Sequence, residues 1–223
     1  MPHNGKQLKS PTSELRECIK PYIHGKKVLD IGSINHSFNP GGGSRGWIFD
    51  FVLKEAEFVK GIDFQKEQVK IAQSSGYNID FGNAETYIAS DRYDVVLATD
   101  LIEHLSNPGQ FFECSEKNLE PNGKLILATP NTFSFVQLYL TFKNWTNNPP
   151  VHWEHTFYFS PTTLETLASR YGFSVEVIKY ANIDYANITI LQKLLMSFSK
   201  LILRVWPKFS TTFIMVFTKK HDQ

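Results

Sequence analysis

Apolar residues fall along this chain in two rhythms that take turns. Short apolar runs of strand length alternate with stretches where apolar residues return every three or four positions, the spacing of a helix face. Residues 27–32, KVLDIG, are the first run, and a glycine halts it; runs at 56–63, 77–81, 93–99 and 124–129 follow. The run at 93–99, YDVVLAT, reads as a buried strand. Helical spacing occupies 65–75, where Gly76 breaks it, then 84–89 and 108–119, and residues 47–55 also read as a helix. Pro121-Asn122-Gly123 is a turn ahead of the strand at 124–129.

The flanking segments are less regular. Residues 1–10 read as a loose tail, after which Ser10-Pro11-Thr12-Ser13-Glu14 opens a helix inside an N-terminal segment ending at residue 24. The stretch 33–46 contains Asn39-Pro40-Gly41-Gly42-Gly43-Ser44 and reads as an irregular loop. Residues 131–151, rich in aromatics and ending in Pro149-Pro150, resemble an insertion, and 131–158 as a whole a lid. Ser160 suits an N-cap and Pro161 the first position of a helix reaching Tyr171-Gly172. Residues 173–180 and 211–218 alternate as strands, with an amphipathic helix at 188–205 inside the 186–206 connection. Strands alternating with helices imply βαβ units, and right-handed crossovers wind these into a doubly wound, Rossmann-like α/β sheet. The expectation is one domain over 1–223, with a mostly parallel sheet of about seven strands and one antiparallel strand.

Composition narrows the function classes. A hydrophobic content of 42% with 18 Phe suffices for the core of such a domain. The 23 Lys+Arg against 22 Asp+Glu leave a formal charge of +1, without the basic excess of a nucleic-acid binder. No nucleic-acid partner is therefore expected. Cys18 and Cys114 stand far apart, outside any metal-ligand spacing, as free thiols in a reducing cytoplasm would. The polar start MPHNGKQLKSPTSE and the absence of an apolar run of ~18 residues also point to a cytoplasmic location.

Ligands of a doubly wound sheet bind beyond the carboxyl ends of its strands. The positions there are Asp30-Ile31-Gly32-Ser33, Asp63-Phe64, Gly82-Asn83-Ala84-Glu85, Thr99-Asp100 and Thr129-Pro130-Asn131, nearly all offering polar or acidic groups. A ligand with amino-acid and ribose parts needs such groups. The segments VLDIGS, GID, GNAE, YDVVLATDLIEHL and LEPNGKLILATPN, in this order, resemble class I S-adenosylmethionine-dependent methyltransferases. The ending EHTFYFSPTTLETLASRYGFSVEVI is similar to the small-molecule branch that includes ubiquinone-pathway and sugar methyltransferases.

This resemblance implies S-adenosylmethionine as cofactor and S-adenosylhomocysteine as product. It assigns Asp30 to the methionine-end amino group and Gly32 to a close backbone approach. Asp63 would accept from the ribose hydroxyls and Phe64 would pack on the adenine. Asn83 and Ala84 would meet the adenine edge, while Thr99 and Asp100 lie under the sulfonium. The residues themselves leave other uses open: Asp63 as a helix cap, Asp30 as a turn stabiliser, Asn83 as an Asx turn. The first loop departs from the family, since Gly32-Ser33-Ile34-Asn35-His36 keeps only the first glycine of G-x-G-x-G. We read Ser33 and Asn35 as making side-chain contacts to the cofactor, Asn35 being tolerant of positive φ. Lost cofactor binding is the competing reading.

A sulfonium methyl group is electrophilic already, so transfer needs alignment and, for a hydroxyl acceptor, removal of one proton. His104 and His155 are the candidate bases. Asp100-Leu101-Ile102-Glu103-His104 is similar to the acidic-x-x-Glu-His pattern of ubiquinone-pathway O-methyltransferases, which implies that Asp100, Glu103 and His104 could hold a divalent cation such as Mg²⁺. A structural role for His104 is the third reading, and no metal is assigned. His152 and Glu154 read as solvent-facing, whereas Tyr139, Phe142, Trp145, Trp153 and Tyr158 would wall an acceptor pocket. The expected acceptor is a small molecule with a hydroxyl or amine: a sugar, nucleotide-sugar, quinone or phenol. The 188–205 helix suits burial on the sheet or a homodimer partner, with a membrane surface as the alternative. Rival classes are a non-catalytic S-adenosylmethionine-binding protein and an NAD-dependent oxidoreductase, the latter disfavoured by the missing G-x-G-x-x-G.

Overall fold

In the computed structural model, which describes residues 12–34, 38, 47–143, 152–182, 203 and 205–219, the apolar runs lie side by side. β1 (Lys27–Ile31), β2 (Phe58–Asp63), β3 (Ile79–Phe81), β4 (Tyr93–Thr99), β5 (Leu119–Pro130), β6 (Phe173–Ala181) and β7 (Thr212–Lys219) form one seven-stranded sheet. The order is β3-β2-β1-β4-β5-β7-β6. Neighbours from β3 to β5 pair in parallel, while β7 runs antiparallel to both β5 and β6. The single reversed strand of the expected Rossmann-like α/β sheet is thus β7. Between β1 and β4 the chain order reverses, which opens a crevice at their carboxyl ends.

Helices cover both faces because successive strand residues point to opposite sides. Val95 and Leu97 enter one core with Leu15, Ile19 and Ile23 of α1 (Ser13–Ile23) and Phe49 of α2 (Ile48–Glu55). Val69 of α3 (Lys66–Ser74) joins the same layer. Val96 and Ala98 enter the other core with Phe111 and Phe112 of α4 (Pro108–Asn118) and Leu164 of α6 (Pro161–Ser169). Each fully buried Phe contributes about 1.5–3 kcal/mol of transfer free energy. As expected, Ser160 caps α6: its hydroxyl accepts from the Thr163 N–H while the Thr163 hydroxyl accepts from the Ser160 N–H.

Two local expectations are corrected. Residues 84–89 form a turn rather than a helix, because Asn83 captures the Glu85 N–H with its side chain and the Thr86 and Tyr87 N–H groups with its carbonyl. Ala89 is then drawn off by Asn118 of α4, whose Oδ1 accepts its N–H. Pro121-Asn122-Gly123 is absorbed into β5 as an irregularity between the pairs Tyr93–Leu119 and Val95–Lys124. Inside the 131–158 stretch, Phe135–Lys143 is a helix, α5, with no buried residue. Residues 1–10, the Asn39–Ser44 run, 144–151 with Trp145, and all of 188–205 except Leu203 and Val205 lie outside the described residues.

Gly61 sets how closely Ser33, after β1, and Phe49 of α2 pack on the face of β2. A Cβ there would collide with Ser33 Oγ and lie 2.8 Å from the Phe49 ring and 2.9 Å from the Ile79 side chain. Gly61→Ala is expected to destabilise the fold by about 1–3 kcal/mol through overpacking. A thermal melt identical to that of the parent protein would refute this packing.

Candidate active site

The crevice is a cleft of about 240 Å³ at the carboxyl ends of the central strands. Of the residues singled out in the sequence, Gly32, Asp63, Phe64, Asn83, Ala84 and His104 line it. Asp30, Ser33, Thr99 and Asp100 stand at the ends of β1 and β4 but are not among its lining residues, and Asn35 lies outside the described residues. Glu85, Leu101, Leu105 and Ser106 also line the wall. Glu85 was visible in GNAE as one more strand-end carboxylate, whereas nothing in a leucine after a strand marks Leu101 for a site.

Backbone geometry makes the first wall. Gly32 has φ +77°, and a Cβ on it would sit 3.0 Å from Leu101 Cδ1, so a side chain there is both strained and crowded. The Gly32 and Ser33 N–H groups donate to the Ile62 carbonyl at 2.9 and 3.1 Å, binding the β1 loop to β2. The Ser33 hydroxyl donates to the Asp30 carbonyl at 2.7 Å. Its side chain is therefore turned into the fold.

Asp63 is 3% exposed and ties two segments together. Its Oδ2 accepts the Ile34 N–H and its Oδ1 the Gln65 N–H, both at 2.9 Å. Each oxygen retains a further lone pair, so the turn-stabilising and ribose-binding uses of this carboxylate are compatible. Burial pushes the Asp63 pKa up, and the backbone N–H donors oppose that rise. Asp30 is pushed up to about 8, by burial first and by the neighbouring Asp63 charge second. At the other end, Glu85 Oε1 accepts the N–H groups of Ser106 and Asn107 at 2.7 Å each, joining the Asn83 turn to the loop after His104.

His104 ends a one-turn 3₁₀ helix, Ile102–His104, that follows β4. Its Nδ1 lies 3.1 Å from the Glu154 carbonyl, which can only accept, so Nδ1 carries the proton and Nε2 the lone pair in the neutral ring. The His155 ring sits edge-on to that of His104 with centroids 4.7 Å apart, and His152 is 4.8 Å from His155. His155 does not line the cleft. Burial, then the neighbouring histidines, push it down to about 4, so its ring is neutral at physiological pH. Glu103 is 2% exposed and its Oε2 accepts the Thr129 hydroxyl at 2.8 Å. Burial, with Asp100 next, pushes its carboxyl up.

Glu103 Oε1 and His155 Nδ1 are buried without a hydrogen-bond partner among the described residues. Glu103, His104 and His155 offer donor atoms within 4.8 Å of one another, and this set fits a divalent cation. It differs from the Asp100, Glu103 and His104 set implied by the sequence: His155 replaces Asp100, making the donors richer in nitrogen. Of the other pocket candidates, Trp153 is 86% exposed and Phe142 68%, while Tyr139 and Tyr158 are near the boundary of exposure. His152 is exposed as expected, and Glu154 is half-buried.

Comparison with known proteins agrees with this architecture. A family model described as a methyltransferase domain matches residues 7–177. The chain belongs to this family. Its fold is that of class I S-adenosylmethionine-dependent methyltransferases. The ubiquinone biosynthesis O-methyltransferase of Erwinia tasmaniensis is 30% identical over 117 residues, covering 49% of this chain and 44% of that protein. The mitochondrial enzyme of the same description from Rattus norvegicus is 28% identical over 182 residues, covering 75% and 49%. The chain spans about half the length of these curated relatives. A Thermotoga maritima S-adenosylmethionine-dependent methyltransferase, described as a possible histamine N-methyltransferase, superposes with a TM-score of 0.63 at 17% identity, covering 95% of this chain and 90% of that one. Magnesium protoporphyrin IX methyltransferase from Synechocystis, solved with bound S-adenosylhomocysteine, superposes at 0.59 with 13% identity, covering 94% and 84%.

The methyltransferase domain carries a pH dependence in its buried carboxyls. Asp30 keeps its proton up to about pH 8 in the folded chain but only to about 4 when unfolded. The folded state then binds more protons across that window, so stability falls as pH rises through it. His155, neutral in both states above pH 7, does not disturb the comparison there. The thermal midpoint is expected to drop between pH 7 and pH 8.5, and Asp30→Asn to raise it at pH 8.5 and flatten the slope. A wild-type slope left intact by Asp30→Asn would contradict the assignment.

Proposed function

We propose that this methyltransferase domain carries the methyl group of S-adenosylmethionine to a hydroxyl or amine of a small molecule, with His104 as the base. One observation supports the reading above others: His104 lines the same cleft as Gly32, Asp63, Asn83 and Ala84, with its Nε2 lone pair left free by the bond from Nδ1. Gly32 admits the cofactor's backbone-side edge, Asp63 accepts from the ribose hydroxyls, and Asn83 with Ala84 meets the adenine. Asp30 serves the methionine-end ammonium, losing its proton as that cation binds. The acceptor oxygen attacks the sulfonium methyl, the S–CH₃ bond breaks as the O–CH₃ bond forms, and the acceptor proton passes to His104 Nε2. S-adenosylhomocysteine leaves as a neutral thioether.

The likeness to ubiquinone-pathway relatives favours a quinone- or phenol-like acceptor over a sugar, on the low identities given above. As the alternative, a divalent cation held by Glu103, His104 and His155 would occupy the His104 Nε2 lone pair, replacing it as base, and would act as a Lewis acid on the acceptor oxygen. The near-neutral charge favours a small molecule over nucleic acid. Among the described residues no helix is long and apolar enough to cross a membrane. A cytoplasmic site of action goes with this reading.

Titration with S-adenosylhomocysteine and with NAD separates the enzyme classes: saturable binding of the first alone is expected, and of NAD alone would sink the proposal. Asp63→Ala should weaken cofactor binding at least about tenfold, since two ribose hydroxyls lose an acceptor and two backbone N–H groups lose theirs. An unchanged dissociation constant would remove Asp63 from the site. His104→Ala should slow methyl transfer about 10²-fold with cofactor affinity preserved. Transfer at the wild-type rate would end the base assignment.

A further inference from the structure

Free histidine in water favours the tautomer with the proton on Nε2, whereas His104 holds its proton on Nδ1. Something must impose that choice. The imposing group is the Glu154 carbonyl, 3.1 Å from Nδ1, and it belongs to a segment fifty positions away in sequence. A carbonyl in an irregular segment is a dependable acceptor only when the segment is held in place.

Residues 152–156 are held in two ways. The His155 N–H closes a turn onto the His152 carbonyl at 3.0 Å, which leaves Glu154 in the body of the turn. Immediately after it comes Thr156. Its N–H donates to the Glu103 carbonyl at 2.9 Å, and the Phe157 N–H reaches the same oxygen at 3.1 Å. The Thr156 hydroxyl donates to the Leu105 carbonyl at 2.8 Å, shared with Glu103 O at 3.0 Å. Those carbonyls flank His104 on either side. One threonine therefore bridges the residues before and after the histidine, two positions from the carbonyl that reads its ring.

We propose that Thr156 is a positioning residue that, through the Glu154 carbonyl, fixes His104 in the Nδ1–H tautomer and so keeps Nε2 free to receive the acceptor's proton. Thr156 is itself exposed, so its role does not come from filling the core. Only its hydroxyl and amide face inward. The threonine acts on the rate of transfer, not on the binding of cofactor at the far side of the cleft. This rests on His104 being the base proposed above.

Thr156→Val removes the hydroxyl and keeps shape and backbone, and Thr156→Ser restores it. In ¹⁵N-labelled full-length protein, wild-type His104 is expected to show a pyridine-like Nε2 and a protonated Nδ1, assigned by difference against His104→Gln. Thr156→Val should move the signals towards the Nε2–H form and lower kcat about 3–10-fold, the worth of one such hydrogen bond. The dissociation constant for S-adenosylhomocysteine should stay the same, and Thr156→Ser should recover the wild-type signature and rate. A wild-type His104 already protonated on Nε2, or a Thr156→Val protein with unchanged ring signals, would overturn the inference whether or not methyl transfer is seen. If the signals shift as expected but His104→Ala transfers methyl groups at full rate, the tautomer control stands and the base assignment falls.

Discussion

The wall of the cleft at β1 and β2 depends on the residues after β1 packing closely over β2 and on Asp63 stitching the two exit segments together. With no side chain at Gly61, Ser33 can pack directly over β2. The Gly32 and Ser33 N–H groups reach the Ile62 carbonyl, and the Asp63 carboxylate gathers the Ile34 and Gln65 N–H groups. The Trp47 indole N–H then donates to the Ser33 carbonyl at 2.6 Å, adding an anchor from the residue before α2. The start of the first loop, which keeps only Gly32 of a G-x-G-x-G pattern, is held by buried hydrogen bonds.

That solution has an electrostatic consequence. Two carboxyls, Asp30 and Asp63, are 3% exposed at adjacent strand ends, and the Asp63 charge adds to burial in raising the cost of ionising Asp30. A cationic ligand relieves both the desolvation and the repulsion. A neutral or anionic ligand of the same shape relieves neither.

The opposite wall is built on a different logic. Glu103, His104 and Leu105 form a short rigid turn after β4, and the segment 152–157 is laid across it by bonds to backbone carbonyls. Glu85 holds Ser106 and Asn107 from the side of the Asn83 turn. The histidine is therefore gripped from both directions by groups distant in the chain.

The succession of strands along the chain and the strand-end residues were legible in the sequence, because burial on both faces leaves a continuous apolar run and a site beyond it needs polar groups. Ser160, Asp63, Asn83 and His104 could be picked out in that way, and the family likeness lay in the same segments. What local pattern could not decide was direction. Ser33 is polar at a strand end, yet its hydroxyl turns inward to the Asp30 carbonyl. Residues 84–89 have helical spacing, yet Asn83 and Asn118 compete successfully for their N–H groups. Asp100 shares a motif with Glu103 and His104, yet it is His155 that joins them. Each outcome depends on a hydrogen-bond partner or a ring from elsewhere in the chain. Periodicity records which face is buried, and only the folded chain settles which distant group waits there.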